Sequence, residues 1–346
     1  MLIVNEIVNT LRKNHRVYFE SVSPPEVEVL SITNHPNSCV ARLRVRLGVS
    51  DKALFVKTLY PDEVDGRSNR SDREYKEYQI RTEYDVLKKL YDAFAPYPNL
   101  GVVKPVDYFP EYLALVTEEQ QGQKFSLLMQ NAKMYSRHEK TEKLVDCTCL
   151  CGAWLRLFQD FMKQNDIKKY DFNEVLNYCD VRLDILANHR PYDFTEPFCE
   201  GVRNFLKHQV KRVKVDGLEV VGRHNDYSPN NMIVKDQKLV VLDFSGFSYG
   251  PVCGDYVKFW SGLDLMKDSL LVSVKTVEKL QEAFIAGYGR KINPDDPLFI
   301  LFQMAYILDK MGDIWLDWPF TSLIRRRVHK DLYQKCLRWL KATTGM

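Results

Sequence analysis

The chain has 346 residues, 45% hydrophobic and 27% charged, enough to bury one large core or two smaller ones. Its formal net charge of +3 lacks the strong basic bias of a dedicated nucleic-acid binder. The longest apolar run, 298–308, is about half the ~20 residues needed to span a bilayer and contains Gln303, so it reads as a buried helix.

The N-terminus shows no basic segment followed by a sustained apolar stretch, which argues against a signal peptide and for a cytoplasmic protein. The first strand-like runs are 26–31, 39–47 and 53–59, rich in β-branched and apolar residues and separated by turn-prone stretches at 33–38 and 48–52. From 72 to 94 the period becomes helical, with Ile80, Tyr84, Leu87, Tyr91 and Phe94 on one stripe and Leu90 beside it. Two more strand-like runs follow, 102–108 and 112–117. The polar stretch 118–124 (EEQQGQK) then leads into a longer, mainly helical part. This pattern predicts an N-terminal lobe over 1–117, a connecting segment over 118–124 and a C-terminal lobe over 125–346. Among the eight cysteines, Cys147, Cys149 and Cys151 alternate and have no matching Cys-x2-Cys pair, so they read as packed thiols.

Within the helical part, 231–235 and 238–243 form a β-hairpin around Asp236-Gln237. A tight turn there sets Lys235 opposite Lys238 and Asn231 opposite Leu242. The oxygens of Asn231 and Asp243 then converge at the open end of the hairpin.

The stretch RHNDYSPNNMIVKDQKLVVLDF, 223–244, carries His224, Asp226, Asn231 and Asp243 around one turn and one hairpin. Phosphoryl transfer from ATP needs an orienter for the acceptor hydroxyl, hard oxygen ligands for magnesium and a cation on the phosphates. An Asp five residues before an Asn, followed by a hairpin ending in Asp-Phe, meets the first two needs. Lys57, at the end of the run Leu54-Phe55-Val56, is the candidate cation. Glu83 falls close to the apolar stripe of the 72–94 helix. A carboxylate there is costly to bury unless paired, and Lys57 is its candidate partner.

These residues resemble the aminoglycoside phosphotransferase/choline kinase family, a branch of the protein-kinase-like fold. HNDYSPNN and LDF match its His-x-Asp-x4-Asn and strand-Asp-Phe pattern, and Gly250 and Asp255 in GPVCGDYVKFW match a Gly followed five residues later by a helix-opening Asp. TEYDVLKKL resembles the family's Glu-bearing helix, and VTEEQQG its hinge. The resemblance spans roughly 31–260.

It implies an α+β fold of two lobes: a small lobe with an antiparallel sheet and one helix, and a large, mainly helical lobe. It also implies an ATP- and magnesium-dependent kinase acting on a small-molecule hydroxyl. In that reading Asp226 is the base, and Asn231 and Asp243 hold magnesium. Lys57 touches the nucleotide phosphates, held by Glu83. The Glu118 carbonyl and Gln120 amide face adenine, and Asn37 and Ser38 lie in the loop over the phosphates. Asp255 braces the catalytic loop, and His224 holds it by hydrogen bonds. Asn225 stands where the family usually has Gly, and Phe158 where it often has His.

Asp309, Asp313 and Asp317, with Trp315 and Trp318, could line an amine-bearing acceptor, but a solvated acidic face is the simpler expectation. The segment from Ser322 holds seven Lys/Arg and one Asp, with Ile324, Val328, Leu332 and Trp339 on one stripe. A docked terminal helix is expected there in preference to one lying on a membrane. Candidate acceptors are a sugar, an amino alcohol or an aminoglycoside-like amine, with a glycan- or lipid-linked alcohol as the alternative. A catalytically dead nucleotide-binding scaffold is the rival from another class, and the intact set of candidate residues argues against it. A protein kinase is disfavoured because the HRD, DFG and APE forms are missing and only 11 residues separate Asp243 from Asp255.

Overall fold

The computed structural model describes residues 2–35, 38–48, 50–60, 72–134, 138–164, 170–267, 273–316 and 323–346. Asn37, Asp317 and Trp318 lie outside the described residues. The chain forms two compact units, Met1–Leu128 with Pro229–Phe247, and Met129–Ser228 with Ser248–Met346.

The first unit opens with helices α1 (Leu2–Lys13) and α2 (His15–Phe19). Strands β1 (Glu26–Asn34), β2 (Ser38–Leu47) and β3 (Ser50–Leu59) follow, then helix α3 (Asp72–Phe94) and strands β4 (Leu100–Val102), β5 (Pro105–Phe109) and β6 (Ala114–Glu118). An antiparallel sheet runs in the order β1-β2-β3-β6-β5. Strand alternation sends Ala41, Leu43, Val45, Leu54 and Val56 to one face. There they meet Val4, Ile7, Val8 and Leu11, the i, i+3, i+4, i+7 stripe of α1. Burying four such side chains is worth on the order of 6–12 kcal/mol before entropy is counted.

Helix α3 keeps the expected bounds, but its buried stripe is Ile80, Glu83, Leu87, Leu90 and Phe94, while Tyr91 is exposed. The run expected as one strand over 102–108 divides. Pro105 has no N–H to continue a ladder, so β4 and β5 enter different sheets.

The second sheet has the order β4-β10-β9-β7, built with β7 (Gln123–Lys124), β9 (Met232–Lys235) and β10 (Lys238–Val241). β4 runs parallel to β10, and β9 and β10 form the hairpin with Lys235 facing Lys238. Asp236 and Gln237 both take positive φ, 44° and 63°, the backbone of a tight turn whose twist matches the flanking strands. The Leu242 N–H donates to the Asn231 carbonyl at 2.9 Å. Asn231 itself closes a short 3-10 turn, one residue ahead of the strand.

The second unit is mainly helical: α5 (His138–Phe161), α6 (Asn173–His189), α7 (Glu196–Arg212), α8 (Cys253–Asp264), α9 (Val274–Tyr288), α10 (Pro297–Leu316) and α11 (Leu323–Thr344). Helix α4 (Phe125–Met134) precedes α5. Strands β8 (Val220–Arg223) and β11 (Ser248–Pro251) pair antiparallel. α5 and α9 cross at Gly152 and Gly287, where a Cβ on either glycine would run into the backbone of the other helix. Cys147 and Cys151 of α5 are buried.

A second core joins α6, α7, α10 and α11 through Cys179, Leu183, Leu206, Leu308, Tyr333 and Leu340. The terminal helix therefore docks, as expected, but on Tyr333, Cys336, Leu337 and Leu340, and Val328 is exposed. Its Lys335 ammonium donates to the carbonyls of Asp264, Leu265 and Lys267 at the end of α8, a cation on a helix C-terminus.

Asp309 does not lie on a solvated face, whereas Asp313 is half-exposed. The Arg182 guanidinium meets Asp309 at 2.7 Å with both side chains largely buried, and the Tyr178 hydroxyl donates to the same carboxylate. Lys310 pairs with Asp313 at 2.9 Å. The Trp315 ring takes the Arg190 guanidinium 4.8 Å from its centroid. Among the described residues no helix is long and apolar enough to cross a membrane.

Candidate active site

In the first unit, β3 turns Val56 into the α1 core and Lys57 onto the opposite side. There the Lys57 ammonium donates to Glu83 Oε2 at 3.1 Å and to Asp243 Oδ1 at 2.7 Å. The other Glu83 oxygen accepts the Phe244 N–H at 3.1 Å, so one buried carboxylate ties α3 to both β3 and the residue after Asp243. Burial opposes the charge on Lys57, but the Glu83 and Asp243 carboxylates outweigh it and raise the ammonium above its ordinary value. Burial pushes the Glu83 carboxyl up, and Lys57 and the Phe244 amide offset this only in part.

Asp243 sits just past β10 with φ at 62°, a left-handed conformation costly for a non-glycine residue. Its Oδ1 also accepts the Ser245 hydroxyl at 2.7 Å. Asp243 is partly exposed and Glu83 is not. The arrangement pairs a structural carboxylate with a more accessible one on a single cation.

Glu118 ends β6. Its amide donates to the Lys104 carbonyl at 2.9 Å, and its carboxylate takes Lys104 at 3.1 Å and Lys52 at 3.3 Å. Burial works against that charge, yet the two lysines hold the carboxyl below its ordinary value. The Glu119 amide donates to the Ala53 carbonyl at 2.8 Å, and the Gln120 side-chain amide donates to the Gln121 carbonyl. Gly122 has φ at 147° and lies against the Val234 carbonyl where a Cβ would stand, so this crossing onto β7 requires glycine. Ser38 opens β2 opposite Leu59, and its carbonyl accepts the His35 N–H at 2.7 Å.

In the second unit, β8 delivers His224, Asn225 and Asp226. The buried Asp255, in the first turn of α8, accepts the His224 N–H at 2.7 Å and the Asn225 N–H at 2.9 Å. Asn225 has φ at 62°, and its side-chain amide donates to Ser248 Oγ at 2.8 Å. Asparagine tolerates this left-handed turn better than most residues, which accounts for its standing in a position usually held by glycine. The Asp226 N–H donates to His224 Nδ1 at 3.3 Å, and the His224 ring is fully buried. Tyr227 anchors the next residue: its hydroxyl donates to the Cys151 carbonyl at 2.6 Å and its ring stacks on Trp154.

The Asp226 carboxylate is 58% exposed, on a loop otherwise tied down atom by atom. Lys258, one turn beyond Asp255, donates to the Asn225 carbonyl at 2.6 Å and meets Asp226 Oδ1 at 3.3 Å. No sequence motif singled out Lys258. Its i+3 spacing from Asp255 was the available signal.

The two clusters hold an anchored cation beside hard oxygens in one unit and an exposed, braced carboxylate in the other. Among the described residues no group of three or more His, Cys, Asp or Glu could hold a metal. Asn231 and Asp243, at the open end of the β9–β10 hairpin, carry oxygen donors of the kind that magnesium takes.

Solved structures share this architecture. A choline/ethanolamine kinase family protein from Mesorhizobium loti is 12% identical, with a TM-score of 0.54 over 99% of this chain and 95% of its own. An amicoumacin kinase complexed with AMP-PNP, Ca2+ and Ami is 13% identical, with a TM-score of 0.56 over 97% of this chain and 93% of its own. An ethanolamine kinase from Plasmodium vivax is 14% identical, with a TM-score of 0.51 over 97% of this chain and 86% of its own. No curated protein matches the sequence. The fold is two-lobed and protein-kinase-like, with an antiparallel sheet in the small lobe and a helical large lobe. A family model matches residues 44–298, and the chain belongs to the APH family, the phosphotransferase enzyme family.

Proposed function

We propose that this protein is a cytoplasmic, ATP- and magnesium-dependent kinase of a small-molecule hydroxyl. The observation that carries the reading is the Lys57 ammonium held between buried Glu83 and accessible Asp243. A cation fixed in this way suits the nucleotide phosphates, and Asn231 and Asp243 supply hard oxygens for magnesium. Magnesium, when bound, would neutralise charge on the phosphates. The Glu118 carbonyl and Gln120 amide are the proposed adenine contacts, with Asn37 and Ser38 in the loop over the phosphates.

Asp226 is the proposed base. The acceptor oxygen bonds to the γ-phosphorus while the bond from that phosphorus to the bridging oxygen breaks. The electron pair leaves with ADP, and the acceptor proton passes to Asp226. Asp255 and His224 hold the loop in place. The acceptor class is a sugar, an amino alcohol or an aminoglycoside-like alcohol, the amino alcohol being in keeping with the ethanolamine kinase among the structural neighbours.

The test is magnesium-dependent ADP formation from ATP against a panel of sugars, amino alcohols and aminoglycosides, with Asp226→Asn as the blank. An acceptor-dependent signal absent from the variant supports the reading. ATP binding without turnover of any acceptor or of water would favour a scaffold.

A further inference from the structure

We propose that Lys258 is a positioning residue for phosphoryl transfer, supplying to Asp226 the cation that the loop carrying that carboxylate lacks. The inference rests on the reading of Asp226 as the base. The residues after Asp226 are Tyr227, Ser228 and Pro229, none of them cationic. The Lys258 ammonium instead arrives from α8 and meets Oδ1 at 3.3 Å.

An exposed Lys–Asp pair ordinarily contributes little, because ordering two free side chains cancels a weak attraction in water. Here most of that ordering is already done. Lys258 is largely buried, and its 2.6 Å bond to the Asn225 carbonyl fixes the ammonium whether or not Asp226 is present. Asp255, three residues earlier on the same helix face, takes the two preceding amides. One turn of α8 thus holds the amides, the carbonyl and the carboxylate of consecutive residues. Two other carboxylates of this unit are already engaged: Asp255 accepts the His224 and Asn225 amides, and Asp309 on α10 meets Arg182 at 2.7 Å.

Two consequences follow for the reaction. Lys258 sets the direction of one carboxylate oxygen. Its charge also offsets the repulsion between an anionic base and the anionic phosphoryl group it must work beside.

The experiment uses the full chain and takes water as the acceptor, reading magnesium-dependent ADP release from ATP for wild type, Lys258→Ala, Lys258→Arg and Asp226→Asn. Lys258→Ala should lower kcat about 10–100-fold with KM for ATP within about twofold, a share of the usual general-base contribution. Lys258→Arg should keep most of the rate, and methylammonium added to Lys258→Ala should restore part of it. A Lys258→Ala protein with wild-type kcat overturns the inference, as does a loss that neither arginine nor methylammonium relieves. If Asp226→Asn is inactive in those cases, the base assignment survives. An active Asp226→Asn, or a wild-type protein that releases no ADP with water or with any acceptor of the panel, overturns both.

Discussion

Lys57 and Asp243 lie 186 positions apart in the chain and meet at 2.7 Å, with Glu83 closing the group at 3.1 Å. Removing the cation leaves a buried carboxylate uncompensated, so Lys57→Met should destabilise the protein by about 3 kcal/mol. Adding Glu83→Leu should return part of that loss, since an apolar pair of similar volume tolerates burial, less the acceptor it takes from the buried Phe244 N–H. Urea unfolding of the two variants checks this, and a double mutant less stable than Lys57→Met would contradict it. Both proteins should lack turnover.

Asp226 and Asp243 should fail in different ways. Asp226→Asn should cut kcat by about 100–10,000-fold while nucleotide binding stays within a few-fold of wild type. Asp243→Ala should weaken binding itself and flatten its magnesium dependence, as titration of a fluorescent ATP analogue against magnesium would report. Unchanged magnesium dependence would remove Asp243 from the metal site.

The crossing of α5 and α9 admits no side chain at Gly287, where a methyl group would strike the Cys149 carbonyl. Gly287→Ala should therefore cost about 3 kcal/mol, the upper end of ordinary overpacking penalties, although alanine is the better helix former. Thermal unfolding reads this directly. A stabilised variant would show that the two helices can part without loss.

Burial alone would raise the Asp309 carboxyl, but the Tyr178 hydroxyl and the Arg182 charge outweigh it and hold it below its ordinary value. A group depressed in the native state contributes stability above its unfolded value and loses it as pH falls through the folded one. Asp309→Asn should thus cost about 3 kcal/mol at pH 7 through the unpaired Arg182. The difference from wild type should shrink below about pH 4, where the unfolded carboxylate protonates. Urea midpoints compared across that range give the test, and a difference independent of pH would exclude the pair as its source.

Much of this was legible from residue pattern. The β-rich runs 39–47 and 53–59, the bounds of α3 and the turn at Asp236-Gln237 all follow from local chemistry. Lys57 and Glu83 stood out because an acid near an apolar stripe requires a cation, and Asp243 because it ends a hairpin opposite Asn231; the meeting of both carboxylates on one ammonium was not visible. What escaped was set by tertiary partners. The stripe Val4, Ile7, Val8, Leu11 was present, but the sheet face it covers is not visible locally. β4 pairs with a strand more than a hundred residues later, which local pattern cannot register. Tyr91 on α3 faces solvent while Leu90 beside it is buried, a small rotation of the helix that its own period does not decide. Lys258 is hidden for a related reason: its i+3 spacing sets it on the face of Asp255, but only the packing of α8 brings that face to the loop.

The hairpin of β9 and β10 belongs to the compact unit formed by the first 128 residues, although it is encoded a hundred residues later. A gene cut after the connecting segment would yield an N-terminal fragment missing the centre of its second sheet and the carboxylate that meets Lys57. The complementary fragment would carry an unpaired hairpin with nothing of its own to pair against. During synthesis the first unit must likewise wait, incomplete, until residue 247 has left the ribosome. The halves of this protein are therefore not interchangeable modules, and swapping one for that of a relative would mean exchanging a discontinuous piece of sequence.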